Sequence, residues 1–105
     1  MSDELTLGGY MEKHGRAAAF EGHDGQAYSV GLFLDDAPDS EERFGAALLF
    51  VRWSPAGDAP VGHVETGYLA WGRTRDQAET RLKGLSLFDV KDALDQAIKN
   101  APGEW

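Results

Sequence analysis

The chain has 105 residues, of which 42% are hydrophobic and 27% charged, as expected for one soluble globular domain. Its net charge of −8 argues against a nucleic-acid partner, because phosphate contacts need clustered lysine and arginine. No apolar run approaches the ~20 residues of a membrane-spanning helix, and the acidic N-terminus differs from a secretory signal. The chain has no cysteine, which excludes disulfides and thiolate metal sites and fits a reducing cytoplasm.

The first third of the chain predicts a tail and a β-hairpin. Residues 1–15 show weak periodicity and three glycines, so we predict a tail with a short strand around Leu5 to Leu7. A first strand is predicted over 16–22. The Asp-Gly pair in HDGQ (23–26) predicts a hairpin turn, because glycine accepts the positive φ that such turns require. The strand predicted over 27–36 has one alternating apolar face, formed by Tyr28, Val30, Leu32 and Leu34.

The third predicted strand, residues 43–54, is apolar on both faces. One face carries Phe44, Leu48 and Phe50, and the other carries Leu49, Val51 and Trp53. Such a strand is normally central and covered twice. The turn-rich segment 55–60 follows, and residues 62–72 predict a fourth strand.

Two helices are predicted after the strands. Thr74 with Gln77, and Ser86 with Asp89, have the spacing of N-terminal capping boxes. Gly84 suits the left-handed residue that closes a helix. The second helix has a continuous apolar stripe, formed by Leu87, Val90, Leu94, Ala97 and Ile98.

This order predicts an α+β domain over 16–101, with tails at 1–15 and 102–105. The fold is a four-stranded antiparallel meander followed by two C-terminal helices packed on one sheet face. The other face also needs a cover, which the N-terminal tail supplies only in part. A second copy is the more economical cover, so we predict a homodimer whose interface candidates are Phe33, Trp53, Trp71 and Trp105.

One polar pair, His63 and Glu65, is a candidate for a chemical role. His63 and Glu65 lie two apart on the fourth predicted strand and point the same way. They could share a metal, but such a site usually needs three or four protein ligands, and nothing in the sequence places His14 or His23 nearby. We interpret the pair as the solvated end of a strand. The alternative is a ligand or metal pocket that also uses Arg52.

Acidic residues gather in two other places, the run from Asp35 to Glu42 and one side of the last helix at Asp89, Asp92 and Asp95. Both groups are consistent with a solvated surface or with recognition of a basic protein. The run from Asp35 to Glu42 is also consistent with weak cation binding. No catalytic motif is present in the sequence. The sequence therefore favours a non-catalytic, acidic interaction or regulatory module that is homodimeric, cytoplasmic and without a cofactor. The alternative is a small ligand- or metal-binding domain or enzyme.

Overall fold

The computed structural model describes residues 6–15, 19–36 and 43–100. These residues form an α+β domain in which an antiparallel sheet precedes two C-terminal helices, as the sequence predicts. In chain order the elements are α1 (Leu7–His14), β1 (Ala19–Glu21), β2 (Ala27–Asp36), β3 (Phe44–Trp53), β4 (Pro60–Glu65), β5 (Ala70–Gly72), α2 (Arg75–Lys83) and α3 (Leu87–Asn100).

The strand β3 lies at the centre of the sheet, as its two apolar faces predict. The order is β1-β2-β3-β4, and β5 pairs with β3 farther along the same edge. All of these pairings are antiparallel, and β2 pairs with β3 over ten residues, from Ala27 opposite Trp53 to Asp36 opposite Phe44. In the β1–β2 turn, Gly25 has a φ of 80°, so the predicted hairpin is confirmed.

The even-numbered side chains of β2 and β3 point toward the helices and form the core. In the sheet register Val30 lies opposite Phe50, and Phe50 opposite Val64. The helices add the apolar stripe that the sequence predicts, since Val90 and Leu94 of α3 are fully buried. The buried cluster comprises Leu7, Tyr28, Val30, Ala46, Leu48, Phe50, Val64, Ala70, Ala78, Leu82, Val90, Leu94 and Ala97.

The N-terminal segment differs from the predicted tail. The expected strand is reduced to a single bridge between Thr6 and Ser86, and a helix begins at Leu7. The Thr6 hydroxyl caps this helix by accepting a hydrogen bond from the Gly9 N–H. Leu7 is fully buried and belongs to the core, although the sequence predicts that the domain begins at residue 16. The sequence signal for this helix is the Thr6 cap. It is weak because only eight helical residues follow Thr6 and two of these are glycine.

The predicted fourth strand is two strands, β4 and β5, separated by residues 66–69. Thr66 causes the interruption. Its N–H donates to the Leu48 carbonyl, and its hydroxyl, in place of a backbone carbonyl, accepts from the Leu48 N–H at 3.0 Å. The backbone then leaves the ladder and returns where the Leu69 N–H donates to the Ala46 carbonyl.

Both predicted helix caps are confirmed, and one predicted ending is wrong. Thr74 accepts from the Gln77 N–H, and Ser86 accepts from the Asp89 N–H. Gly84 has a φ of −75°, so α2 does not end on a left-handed residue. The N–H of Gly84 instead continues the helical pattern by donating to the backbone carbonyls of Thr80 and Arg81.

Candidate functional site

The odd-numbered side chains of the central strands point away from the helices and form a second surface, which we call the outer face. The register places Val51 between Ser29 and His63, and Leu49 between Gly31 and Glu65. At the other end Gly45 lies between Asp35 and Trp71. The outer face therefore comprises Ser29, Gly31, Phe33, Asp35, Gly45, Ala47, Leu49, Val51, Trp53, His63, Glu65 and Trp71.

Much of the outer face is apolar and partly exposed. Phe33 is 45% exposed and Trp71 is 40% exposed, while Leu49, Val51 and Trp53 are half-buried. A sheet with helices on one side usually presents alternating polar residues on the other side, because that side meets water. The outer face departs from this rule over most of β3.

Tyr68, between β4 and β5, adds a further aromatic ring to this surface. Its ring covers Gly45, where a Cβ would lie only 2.8–2.9 Å from the ring carbons. Its hydroxyl donates to Asp35 at 2.8 Å, and its ring meets that of Trp71 edge-on with 6.4 Å between centroids. The hydrogen bond to Asp35 raises the pKa of Tyr68. The strand pattern of the sequence does not identify Tyr68 as part of this surface, although Gly67, an isolated glycine within that pattern, signals a bulge.

Three of the four aromatic residues that we predict for an interface lie on this surface, with Phe33 and Trp71 toward one end of β3 and Trp53 at the other. Phe33, Trp53 and Trp71 belong to β2, β3 and β5, and all face outward. The indole N–H of Trp53 donates to the Ser29 hydroxyl at 2.9 Å, which holds the indole across β2. Trp105 lies outside the described residues.

The predicted polar site is divided between the two sides of the sheet. His63 and Glu65 are exposed on the outer face of β4. Arg52 instead lies opposite Tyr28 and Gly62 on the helix side. The structure therefore keeps the first two side chains on one face, as their spacing predicts, and places Arg52 on the other.

Tyr28 is the most perturbed titratable group near Arg52. It is 2% exposed and its hydroxyl donates to Asp24 at 2.8 Å. Burial, together with the hydrogen bond and the charge of Asp24, raises the pKa of Tyr28 to about 12. The same turn is fixed to α3, since the His23 N–H donates to Asp95. Tyr28 is thus a neutral structural group at physiological pH.

Metal ligands do not converge in the described ranges 6–15, 19–36 and 43–100. No three histidine, aspartate or glutamate side chains of these ranges are grouped closely enough to hold a metal ion. Within the same ranges, no helix has the length and apolar character needed to cross a membrane.

A groove of about 530 Å³ opens between the β4–β5 connection and α3. Its apolar lining comes from Leu69, Leu85, Ala93 and Ala97. Three carboxylates also line it, those of Glu65, Asp89 and Asp92, and the remaining lining residues are uncharged (Thr66, Gly67, Gln96 and Asn100).

The structure separates the three aspartates that the sequence places along one side of α3. Asp89 and Asp92 line the groove. Asp95 binds Lys91 and the His23 N–H instead, and the hydrogen bond from Lys91 lowers the pKa of Asp95. Of the other acidic run, Asp35 binds Tyr68, and residues 37–42 lie outside the described residues. The groove is therefore a separate acidic feature, and sequence spacing alone did not reveal it.

Comparison of the chain with models of protein families, with curated proteins and with solved structures finds no match in any of the three.

Proposed function

We propose that this protein is a non-catalytic, acidic interaction module that acts as a homodimer, with the outer face as the contact between copies. The observation that carries the proposal is the apolar character of that face, where Phe33 and Trp71 remain about two-fifths exposed in a single protomer. Contiguous exposed apolar surface of this kind marks interaction sites. Aromatic residues are also enriched in interfaces, because they bury much area with few rotatable bonds.

The outer face is large enough for a stable contact. The strands β2 to β5 that form it have ten, ten, six and three residues, and at ~3.3 Å per residue and ~4.8 Å between strands they span roughly 460 Å². A standard interface buries about 800 Å² of accessible surface on each partner. A face of this extent, with side chains standing above it, supplies an area of that order.

A second copy fits this face better than a strongly charged partner does. The centre of the face, at Ala47, Leu49 and Val51, is uncharged, and Asp35 at its margin is already bound by Tyr68. Two such sheets can pack face to face about 10 Å apart. The absence of cysteine is consistent with action in the cytoplasm.

Light scattering coupled to size exclusion at micromolar concentration tests the proposal. We expect a mass about twice the 11.4 kDa of one chain. Because each copy carries a net charge of −8, added salt should screen their repulsion and strengthen the association. A mass of one chain at every concentration and salt level would refute the homodimer.

A matched pair of variants locates the contact. Phe33→Glu places a carboxylate in the outer face and should yield the monomer. Phe88→Glu makes the same change on α3, where Phe88 is 82% exposed and lies away from the outer face, and should leave the dimer intact. If both variants dissociate, or neither does, the outer face is not the contact.

A further inference from the structure

The groove between the β4–β5 connection and α3 combines two properties that the outer face lacks. Its floor is apolar, and its charged lining residues are Glu65, Asp89 and Asp92, all of one sign. From this combination we infer that the groove binds a basic segment of a partner protein, with an apolar side chain of that segment inserted between Leu69 and Ala93. The inference deepens the proposed interaction function by naming the partner class and its site.

The walls of the groove are held in place by the fold. On one side, Thr66 is fixed to both polar backbone groups of Leu48, and the Leu69 N–H donates to the Ala46 carbonyl. On the other side, α3 is anchored in the core by Val90 and Leu94. A preformed site of this kind loses little conformational freedom when a segment binds.

Charge complementarity selects the occupant. The lysine nearest in sequence to the groove carboxylates, Lys91, binds Asp95 on another side of α3. The negative potential of the groove is therefore not compensated by its own lining, and it attracts lysine and arginine side chains. The chain's own residues 101–105 follow Asn100 at the groove, but their only charged side chain, Glu104, has the wrong sign.

The position of the groove also separates it from the proposed dimer contact. The groove lies beside α3, whereas the outer face lies on the opposite side of the sheet; only Glu65, at the end of β4, belongs to both. A homodimer would thus present two grooves, and a basic partner could be bound without dissociation of the copies.

Fluorescence anisotropy with synthetic peptides tests the inference. The probe is a labelled pentapeptide, Lys-Lys-Leu-Lys-Lys, and the comparison peptides replace leucine by serine or every lysine by glutamate. We expect binding of the first peptide that weakens as salt is raised, weaker binding of the serine peptide, and none of the glutamate peptide. Equal binding of the leucine and serine peptides would overturn the inference, because the apolar floor would then contribute nothing.

A second pair of variants assigns the binding to the groove. Asp89→Asn with Asp92→Asn removes two groove carboxylates and should weaken binding about 2- to 30-fold, as expected for two partly exposed ion pairs. The control, Asp76→Asn with Asp58→Asn, removes the same charge elsewhere, and Asp76 lies in the first turn of α2 as Asp89 lies in the first turn of α3. Equal weakening in both double variants would show nonspecific attraction and overturn the inference.

Three further measurements separate the outcomes. Gln96→Lys puts a cation into the groove without removing a helix cap, so it should also weaken binding. Phe33→Glu should bind the peptide normally even as a monomer, and the Asp89/Asp92 variant should keep the mass of wild type. These two results distinguish failure of the dimer proposal from failure of the groove proposal. Trp105→Ala should leave affinity unchanged; a marked gain would assign the groove to residues 101–105 and overturn the inference.

Discussion

Gly45→Ala should destabilise the fold because the Tyr68 ring occupies the space that a side chain would need. The added Cβ would lie 2.8–2.9 Å from three ring carbons, whereas ordinary contacts begin at 3.4 Å. The ring must therefore move by about 0.6 Å or more, away from its hydrogen bond with Asp35 and its edge contact with Trp71.

The magnitude follows from two opposing effects. Adding a methyl group to a filled site costs about 1–3 kcal/mol. Replacing glycine by alanine at an ordinary φ stabilises by about 0.4–1 kcal/mol, because the unfolded chain loses freedom. Gly45 has no positive φ, so both effects apply and we expect a net loss of about 1–2 kcal/mol in the free energy of unfolding.

Gly31→Ala is the matched control. Gly31 also lies on the outer face of a central strand, but its nearest neighbour would be the Leu49 carbonyl oxygen at 3.6 Å, an ordinary contact. We expect it to be neutral or slightly stabilising. Urea unfolding followed by tryptophan fluorescence and circular dichroism measures both variants.

A double-mutant cycle decides whether Tyr68 is the cause. In a Tyr68→Ala background the space above Gly45 is empty, so Gly45→Ala should lose its penalty. A penalty that persists in that background, or an equal penalty for Gly31→Ala, would refute this reasoning. Either result would mean that the Tyr68 ring does not pack over Gly45 as described.

Two other residues give independent predictions. Thr66→Val should lower the free energy of unfolding in urea by about 1–3 kcal/mol, because the buried Leu48 N–H loses its acceptor. The control, Thr66→Ser, keeps the hydroxyl and should cost clearly less. Equal losses in the two variants would contradict the role of the hydroxyl. The pKa of Tyr28 is raised to about 12 from an ordinary 10.0, so its neutral form stabilises the fold fully below pH 10 and this contribution is lost as the pH rises toward 12. Ultraviolet absorbance of tyrosinate, measured against pH in wild type and in Tyr28→Phe, gives the ionisation of Tyr28 as the difference between the two. We expect this ionisation only near pH 12 or on unfolding. Ionisation of Tyr28 near pH 10 in the folded protein would contradict the prediction.

The sequence determined the strands and helices wherever local chemistry and periodicity agreed. β2 and β3 follow from alternation of apolar residues, and α3 follows from the stripe that begins after the Ser86 cap. The central place of β3 was predictable because a strand that is apolar on both faces needs a neighbour on each side. The placement of Phe33, Trp53 and Trp71 on one face of the sheet followed from the same alternation once the strands were paired.

Only the tertiary structure decided the features that depend on long-range contacts. A helix at Leu7–His14 is short and contains two glycines, so its stability comes from Leu7 in the core rather than from propensity. The break between β4 and β5 depends on the Thr66 hydroxyl reaching Leu48, 18 residues earlier. The groove arises where that break meets α3, so Asp89 and Asp92 acquire neighbours that their spacing along the helix does not specify.

Alternation of apolar residues along a strand therefore fixed which side chains share the outer face, because successive residues of any strand point to opposite sides. The surroundings of those side chains were fixed only by folding, which brings distant segments of the chain into contact.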